Sequence, residues 1–220
     1  MTIKNLYKQY KLFKNLIPVL KDVNLMVEKG EFLAIAGPSG SGKTTLLNMI
    51  GCIDKPDSGH VLIAGAETSS LTSDELADIR AQKIGFIFQN FNLFPVLTAL
   101  ENVEYPLLLK KTPRQERKKK AEQALEAVGL LSHAGHKPLE LSGGQQQRVA
   151  IARAVVGDPL LVLADEPTAN LDHKTGEEIL NLMKKINQEK DVTFIFSTHD
   201  QKVMDRAGRI VRIWDGEITV

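Results

Sequence analysis

The stretch Gly37-Pro38-Ser39-Gly40-Ser41-Gly42-Lys43-Thr44 constrains the fold of this chain more than any other. It matches G-x-x-x-x-G-K-[ST]. Before it lies a short apolar run, Glu31 to Gly37, and after it a segment, Lys43 to Ile50, with apolar residues at helical spacing. Strand, loop and helix in that order make a phosphate cradle. Glycines let successive backbone N–H groups turn inward toward phosphate oxygens, and the helix beginning near Lys43 adds the positive end of its dipole. Lys43 is placed to reach the β- and γ-phosphates, and the Thr44 hydroxyl to ligate Mg²⁺. Such a loop calls for a nucleoside triphosphate without dividing kinases, GTPases, helicases and transporters from one another.

The pattern around the loop is α/β. Val23, Leu25 and Val27 alternate with Asp22, Asn24 and Glu28, the period of a half-buried strand. Apolar runs at Ile84 to Phe88, Leu160 to Ala164 and Phe194 to Phe196 read as buried parallel strands. Between the last two, Ile179, Leu182, Met183 and Ile186 mark one face of an amphipathic helix. Strands alternating with helices predict a mainly parallel sheet covered on both faces. From Phe91 to Gly157 the pattern turns helical, with capping-box spacings at Thr98-x-x-Glu101 and Ser142-x-x-Gln145. That stretch reads as a helical subdomain, 91–157, inserted into a catalytic core of residues 1–90 and 158–220, the whole a single domain. The dense charge run Arg114 to Lys120 reads as a solvated face.

Two strand ends carry chemistry. Leu160 to Ala164 runs into Asp165-Glu166. A carboxylate there beside the phosphate loop can hold Mg²⁺ through water, which suits Asp165, while Glu166 can polarise an attacking water as general base. Phe194-Ile195-Phe196-Ser197-Thr198 ends at His199, and Ile84 to Phe88 ends at Gln89. Parallel strands deliver their C-terminal ends to one edge. His199 is then suited to the γ-phosphate, and Gln89 to Mg²⁺ or the attacking water.

Composition narrows the partners. With 28 basic and 27 acidic side chains the formal charge is +1, which gives no chain-wide attraction to nucleic acid or anionic lipid. The single cysteine, Cys52, forms no internal disulfide and reads as a small buried apolar residue in a reducing compartment. Met1 to Asn5 lacks the apolar core of a secretory signal, and no apolar run approaches the ~20 residues that span a bilayer. At a membrane, a separate subunit must do the spanning.

Leu141-Ser142-Gly143-Gly144-Gln145 is identical to the LSGGQ signature of ABC transporter nucleotide-binding domains. With the phosphate loop, Gln89, Asp165-Glu166, Asn170-Leu171-Asp172 and His199 in the family's order, the resemblance spans essentially the whole chain. It implies a P-loop NTPase (RecA-like) core, an antiparallel β subdomain near the N-terminus and the inserted helical subdomain. It implies ATP hydrolysis with Mg²⁺. ATP would be held by Gly37, Pro38, Ser39, Gly40, Ser41, Gly42, Lys43, Thr44 and Thr45. Tyr10 would stack on adenine, with Phe13 as the alternative. Lys43, Gln89, Glu166 and His199 would be catalytic, and Thr44, Gln89 and Asp165 would serve the metal. Ser142 reads as a helix N-cap, so the amides of Ser142, Gly143, Gly144 and Gln145 would meet the γ-phosphate bound to an opposite subunit. Two ATP molecules would lie sandwiched between head-to-tail copies of the chain, with Asp172 in the loop communicating between the sites. The implied partners are integral membrane permease subunits and a second copy of the chain, on the cytoplasmic face of the membrane, without nucleic acid.

Within the family, Gly51 to Gly59, Phe88 to Leu93 and Thr98 to Val103 resemble the lipoprotein-release and macrolide-export branch (LolD- and MacB-like). Ala169-Asn170 departs from many relatives, which carry other small residues there. The short stretch after Trp214-Asp215-Gly216 leaves no room for the C-terminal regulatory domain of many sugar importers. The alternative is a soluble ABC-cassette clamp acting on nucleic acid or ribosomes. Those proteins usually carry paired cassettes, long coiled coils or zinc insertions, and neutral charge argues against one.

Overall fold

The computed structural model describes residues 1–219, with Lys202 through its backbone alone. In chain order the strands are β1 (Thr2–Leu12), β2 (Asn15–Met26), β3 (Phe32–Ala36), β4 (Ser58–Ile63), β5 (Ala66–Glu67), β6 (Ile84–Ile87), β7 (Leu161–Asp165), β8 (Thr193–Thr198), β9 (Arg209–Trp214) and β10 (Glu217–Thr219). The helices are α1 (Lys43–Ile50), α2 (Ser73–Lys83), α3 (Ala99–Leu109), α4 (Arg114–Ala127), α5 (Gly143–Val155), α6 (His173–Lys190) and α7 (Gln201–Met204). They form two compact units: Met1–Arg80 with the C-terminal stretch from Thr193, and Ala81–Val192. The stretch 91–157, expected as a helical insertion, lies inside the second unit and supplies α3, α4 and α5.

In the first unit an antiparallel sheet runs in the order β2-β1-β4-β5. The alternation read in β2 holds, since Val23 and Leu25 are buried while Asn24 and Met26 are exposed. Beside it, β3 pairs in parallel with both β8 and β9. All five β3 side chains, Phe32 to Ala36, are buried, as expected of a strand covered on both faces. Phe32 packs against Phe194 and Phe196 at ring distances of 5.7 and 4.9 Å. The sequence reading missed β9 and β10. They are joined by Asp215-Gly216, whose φ values of 46° and 84° make the mirror-image turn that an Asp-Gly pair favours.

Cys52 is 1% exposed, and burial pushes its thiol pKa up. Its reaction with a disulfide reagent should therefore be slower on the order of 100-fold in the native protein than in denaturant. Equal rates would show that the loop after α1 opens freely.

In the second unit β6 pairs in parallel with β7, and α5 packs on β6. Both capping boxes form. Thr98 accepts from the Glu101 amide at 3.2 Å and Ser142 from the Gln145 amide at 3.3 Å, with the N3 side chains reaching back at 2.8 and 2.9 Å. The buried face of α6 is centred slightly differently from the expected one. Leu180 joins Ile179, Met183 and Ile186 in the interior, while Leu182 is only half-buried. The charge run at the start of α4 is largely solvated, with Lys120 pairing to Glu116 one turn away at 2.9 Å. No helix among the described residues is long and apolar enough to cross a membrane.

Candidate nucleotide site

In the first unit, β3 ends at Ala36 and the chain turns through six residues before α1 begins at Lys43. Gly42 makes that turn possible: its φ of 104° lies in the left-handed region, and a Cβ there would sit 2.9 Å from the Val19 carbonyl. Gly42 is the N-cap of α1 and supplies no side-chain cap, and a helix start of that kind suits an incoming anion. Lys43, 6% exposed, donates from Nζ to the carbonyls of Gly37 and Pro38, each at 2.8 Å. The ammonium thus lies folded over the loop. Ser41 is 2% exposed, and its buried Oγ has no hydrogen-bond partner among the described residues. A buried hydroxyl without a partner is costly, and here it sits inside a loop of amides and one ammonium.

Tyr10 belongs to the same unit. Its hydroxyl donates to Asp54 Oδ2 at 2.9 Å. Burial and the Asp54 carboxylate push its pKa up. Lys8 Nζ lies 5.1 Å above the ring and bonds Asp54 at 3.0 Å. Phe13, at the hairpin turn, is 91% exposed with a φ of 55°. His199 follows β8 and borders a cavity of about 230 Å³ with Gly37, Pro38, Arg212 and Trp214. Tyr10, residues 37–45 and His199 therefore share one unit.

The second unit holds the remaining candidates. Gln89 and Asn90 follow β6 and are exposed; the Gln89 carbonyl accepts from Asn170 Nδ2 at 3.1 Å. Asp165 ends β7 and Glu166 follows it, both half-buried, and Glu166 takes a φ of 44°. Ser142 caps α5 by accepting only the Gln145 amide; those of Gly143 and Gly144, in the first turn, have no intrahelical partner. Asp172 caps α6, accepting from the Thr175 amide at 3.1 Å, and the Thr175 hydroxyl together with that amide holds its carboxyl below the usual range.

The sequence profile of the ABC transporter family matches residues 20–169. An ABC transporter ATP-binding protein of Methanocaldococcus jannaschii, MJ0796, is 52% identical over 98% of this chain and 94% of its own length. The chain belongs to the ABC transporter family. Its fold matches the structure of that cassette described as a dimeric, post-hydrolysis state bound to ADP and phosphate, with a TM-score of 0.91 at 51% identity over 100% and 96% of the two chains. It is also 48% identical to a macrolide export ATP-binding/permease protein, MacB, of Syntrophobacter fumaroxidans, covering 98% of this chain but only 30% of that protein.

The cassette is an ATP-binding, ATP-hydrolysing one, and its residues fit the nucleotide. The start of α1 with its positive dipole end, the Lys43 ammonium and the buried Ser41 hydroxyl together suit phosphate oxygens. Among the described residues no three His, Cys, Asp or Glu gather into a metal cage. Mg²⁺ that accompanies a triphosphate needs none, because most of its oxygens come from water and phosphate. Sequence reading missed the side chains that hold these groups in place. Gln147, Arg153 and Asn170 bond backbone beside Glu166 and Gln89. The available signal was Gln147 itself, a polar residue in the apolar stripe of Ala150, Ile151 and Ala154.

Proposed function

We propose that the cassette works as a head-to-tail homodimer on the cytoplasmic face of a membrane, driving separate permease subunits of the export, lipoprotein-release or mechanotransmission type. One observation carries the reading: a single chain offers two helix starts suited to phosphate, α1 after its loop and α5 within the signature. In a head-to-tail pair each ATP meets α1 of one copy and α5 of the other. The dimeric state described for the MJ0796 cassette supports it.

Residues 37–45 grip the triphosphate and Tyr10 stacks on the base. Thr44, Gln89 and Asp165 serve Mg²⁺, with Asp165 acting through water. When bound, Mg²⁺ neutralises charge on the phosphates. Glu166 accepts the proton of the attacking water, and His199 donates to the γ-phosphate. Asp172, capping α6, fixes the start of the helix after the loop proposed to face the partner copy. ATP closes the dimer, and hydrolysis followed by loss of phosphate reopens it.

Tagged Glu166→Gln protein with ATP, used to capture partners from native membranes and read by mass spectrometry, tests the assignment. The expected capture is a permease with few spans and a large extracytoplasmic domain. A many-span permease arriving with a solute-binding protein would overturn the branch in favour of import.

A further inference from the structure

Two backbone segments of the second unit are held against their own conformational preferences. Glu166 has a φ of 44° and precedes Pro167. A non-glycine residue rarely adopts that region, and a following proline favours extended backbone instead. Beyond Gln89, Phe91 and Asn92 take φ values of 61° and 48°, two consecutive left-handed residues without a glycine. Such strain persists only where the surroundings enforce it.

One helix, α5, bonds the backbone at both segments. Gln147 of α5 is 0% exposed, and its Nε2 donates to the buried Pro167 carbonyl at 2.5 Å. Its Oε1 is buried without a partner among the described residues. The amide cannot be turned around, since Oε1 would then face a carbonyl oxygen. The position thus keeps a costly unsatisfied oxygen for the sake of one bond beside Glu166.

Six residues further along α5, Arg153 donates from its two terminal nitrogens to the carbonyls of Asn92 (2.5 Å) and Phe91 (2.8 Å). The planar guanidinium is the side chain suited to two adjacent acceptors. Burial pushes its pKa down to about 10, so the charge persists at neutral pH. Asn170 holds the same turn from another side, donating to the Gln89 carbonyl and, at 2.8 Å, to Asn90 Oδ1.

We infer that α5 is the frame that sets Glu166 and Gln89 for hydrolysis, with Gln147 and Arg153 as its two positioning residues. This rests on the roles proposed above for Glu166 and Gln89. The helix that grips both segments begins with the signature turn, Ser142 to Gln145. A shift of that turn on meeting the partner copy's nucleotide is carried along a rigid helix to both. Engagement at one site thereby adjusts water activation at the other.

The test uses the whole chain with Gln147→Met, which keeps length but removes both the donor and the orphaned oxygen, and Arg153→Met. Misplacement by a fraction of an ångström should lower kcat about 10- to 100-fold. KM for ATP and the affinity for a fluorescent nucleotide should stay within about threefold of the parent. Arg153→Lys, which keeps one charged donor, should fall between. Gln147→Met should add little in a Glu166→Gln background, because it acts through that carboxylate. Unchanged kcat in both methionine variants would overturn the inference. So would a parallel loss of kcat, nucleotide affinity and melting temperature, the mark of general structural damage. Turnover of Glu166→Gln alone tests the underlying role of Glu166. Only after that turnover has collapsed does normal activity in the Gln147 and Arg153 variants count against the frame by itself.

Discussion

Replacing Glu166 by glutamine should leave ATP affinity within about threefold of the parent and cut turnover roughly 100- to 10,000-fold, the usual contribution of a positioned base. The two side chains are nearly identical in shape, and Gln147 would still hold the Pro167 carbonyl. The residue should therefore keep its strained backbone and lose only its capacity to accept a proton. ATP would then bind and remain. Because the reading puts two nucleotides between two copies, the variant should also elute as a dimer in ATP and Mg²⁺ and as a monomer in ADP. Phosphate release, fluorescent nucleotide binding and size exclusion with light scattering measure the three quantities. Near-normal turnover would remove Glu166 as the base and move attention to His199. Collapsed turnover without a dimer would keep the base and sink the sandwich.

Much of this arrangement is legible in the sequence because it is local. The phosphate loop declares itself through eight consecutive residues, and the two capping boxes through four each. Strands buried on both faces show apolar runs, all of β3 and Phe194 to Phe196 of β8. The rest depends on partners distant in the chain. Arg153 meets carbonyls 61 and 62 residues away, and Asn170 meets one 81 residues away. No periodicity encodes such pairings. Strand β9 was obscured for another reason: Arg209, Ile210, Arg212 and Trp214 are exposed and only Ile213 is buried, so no apolar run marks it. On α6, Leu180 and Leu182 fit helical spacing nearly equally well, and packing of neighbouring elements decides which is buried.

The tightest test of that packing is Gly85→Ala. Gly85 lies in β6 against α5, and a Cβ built on it would sit 2.1 Å from the carbonyl oxygen of Ala154 and 2.9 Å from its carbon. Both are backbone atoms, so no side-chain rotation relieves the overlap. The strand cannot retreat easily either, because Gly85 pairs with the fully buried Val162 of β7. The helix must move. Overpacking of this kind should cost about 3 kcal/mol, the upper end of its usual range. For a chain of this length that lowers the melting temperature by about 6–12 °C. Gly135→Ala is the control: its Cβ would meet nothing within 4 Å, and stability should change by less than about 0.5 kcal/mol. Gly85→Ala should also slow hydrolysis at temperatures where it remains folded, since the displaced helix carries Gln147 and Arg153. A melting temperature within about 2 °C of the parent would mean that α5 yields readily. A helix that yields readily could not hold Glu166 and Phe91 in left-handed backbone, so the same measurement bears on the fold and on the frame.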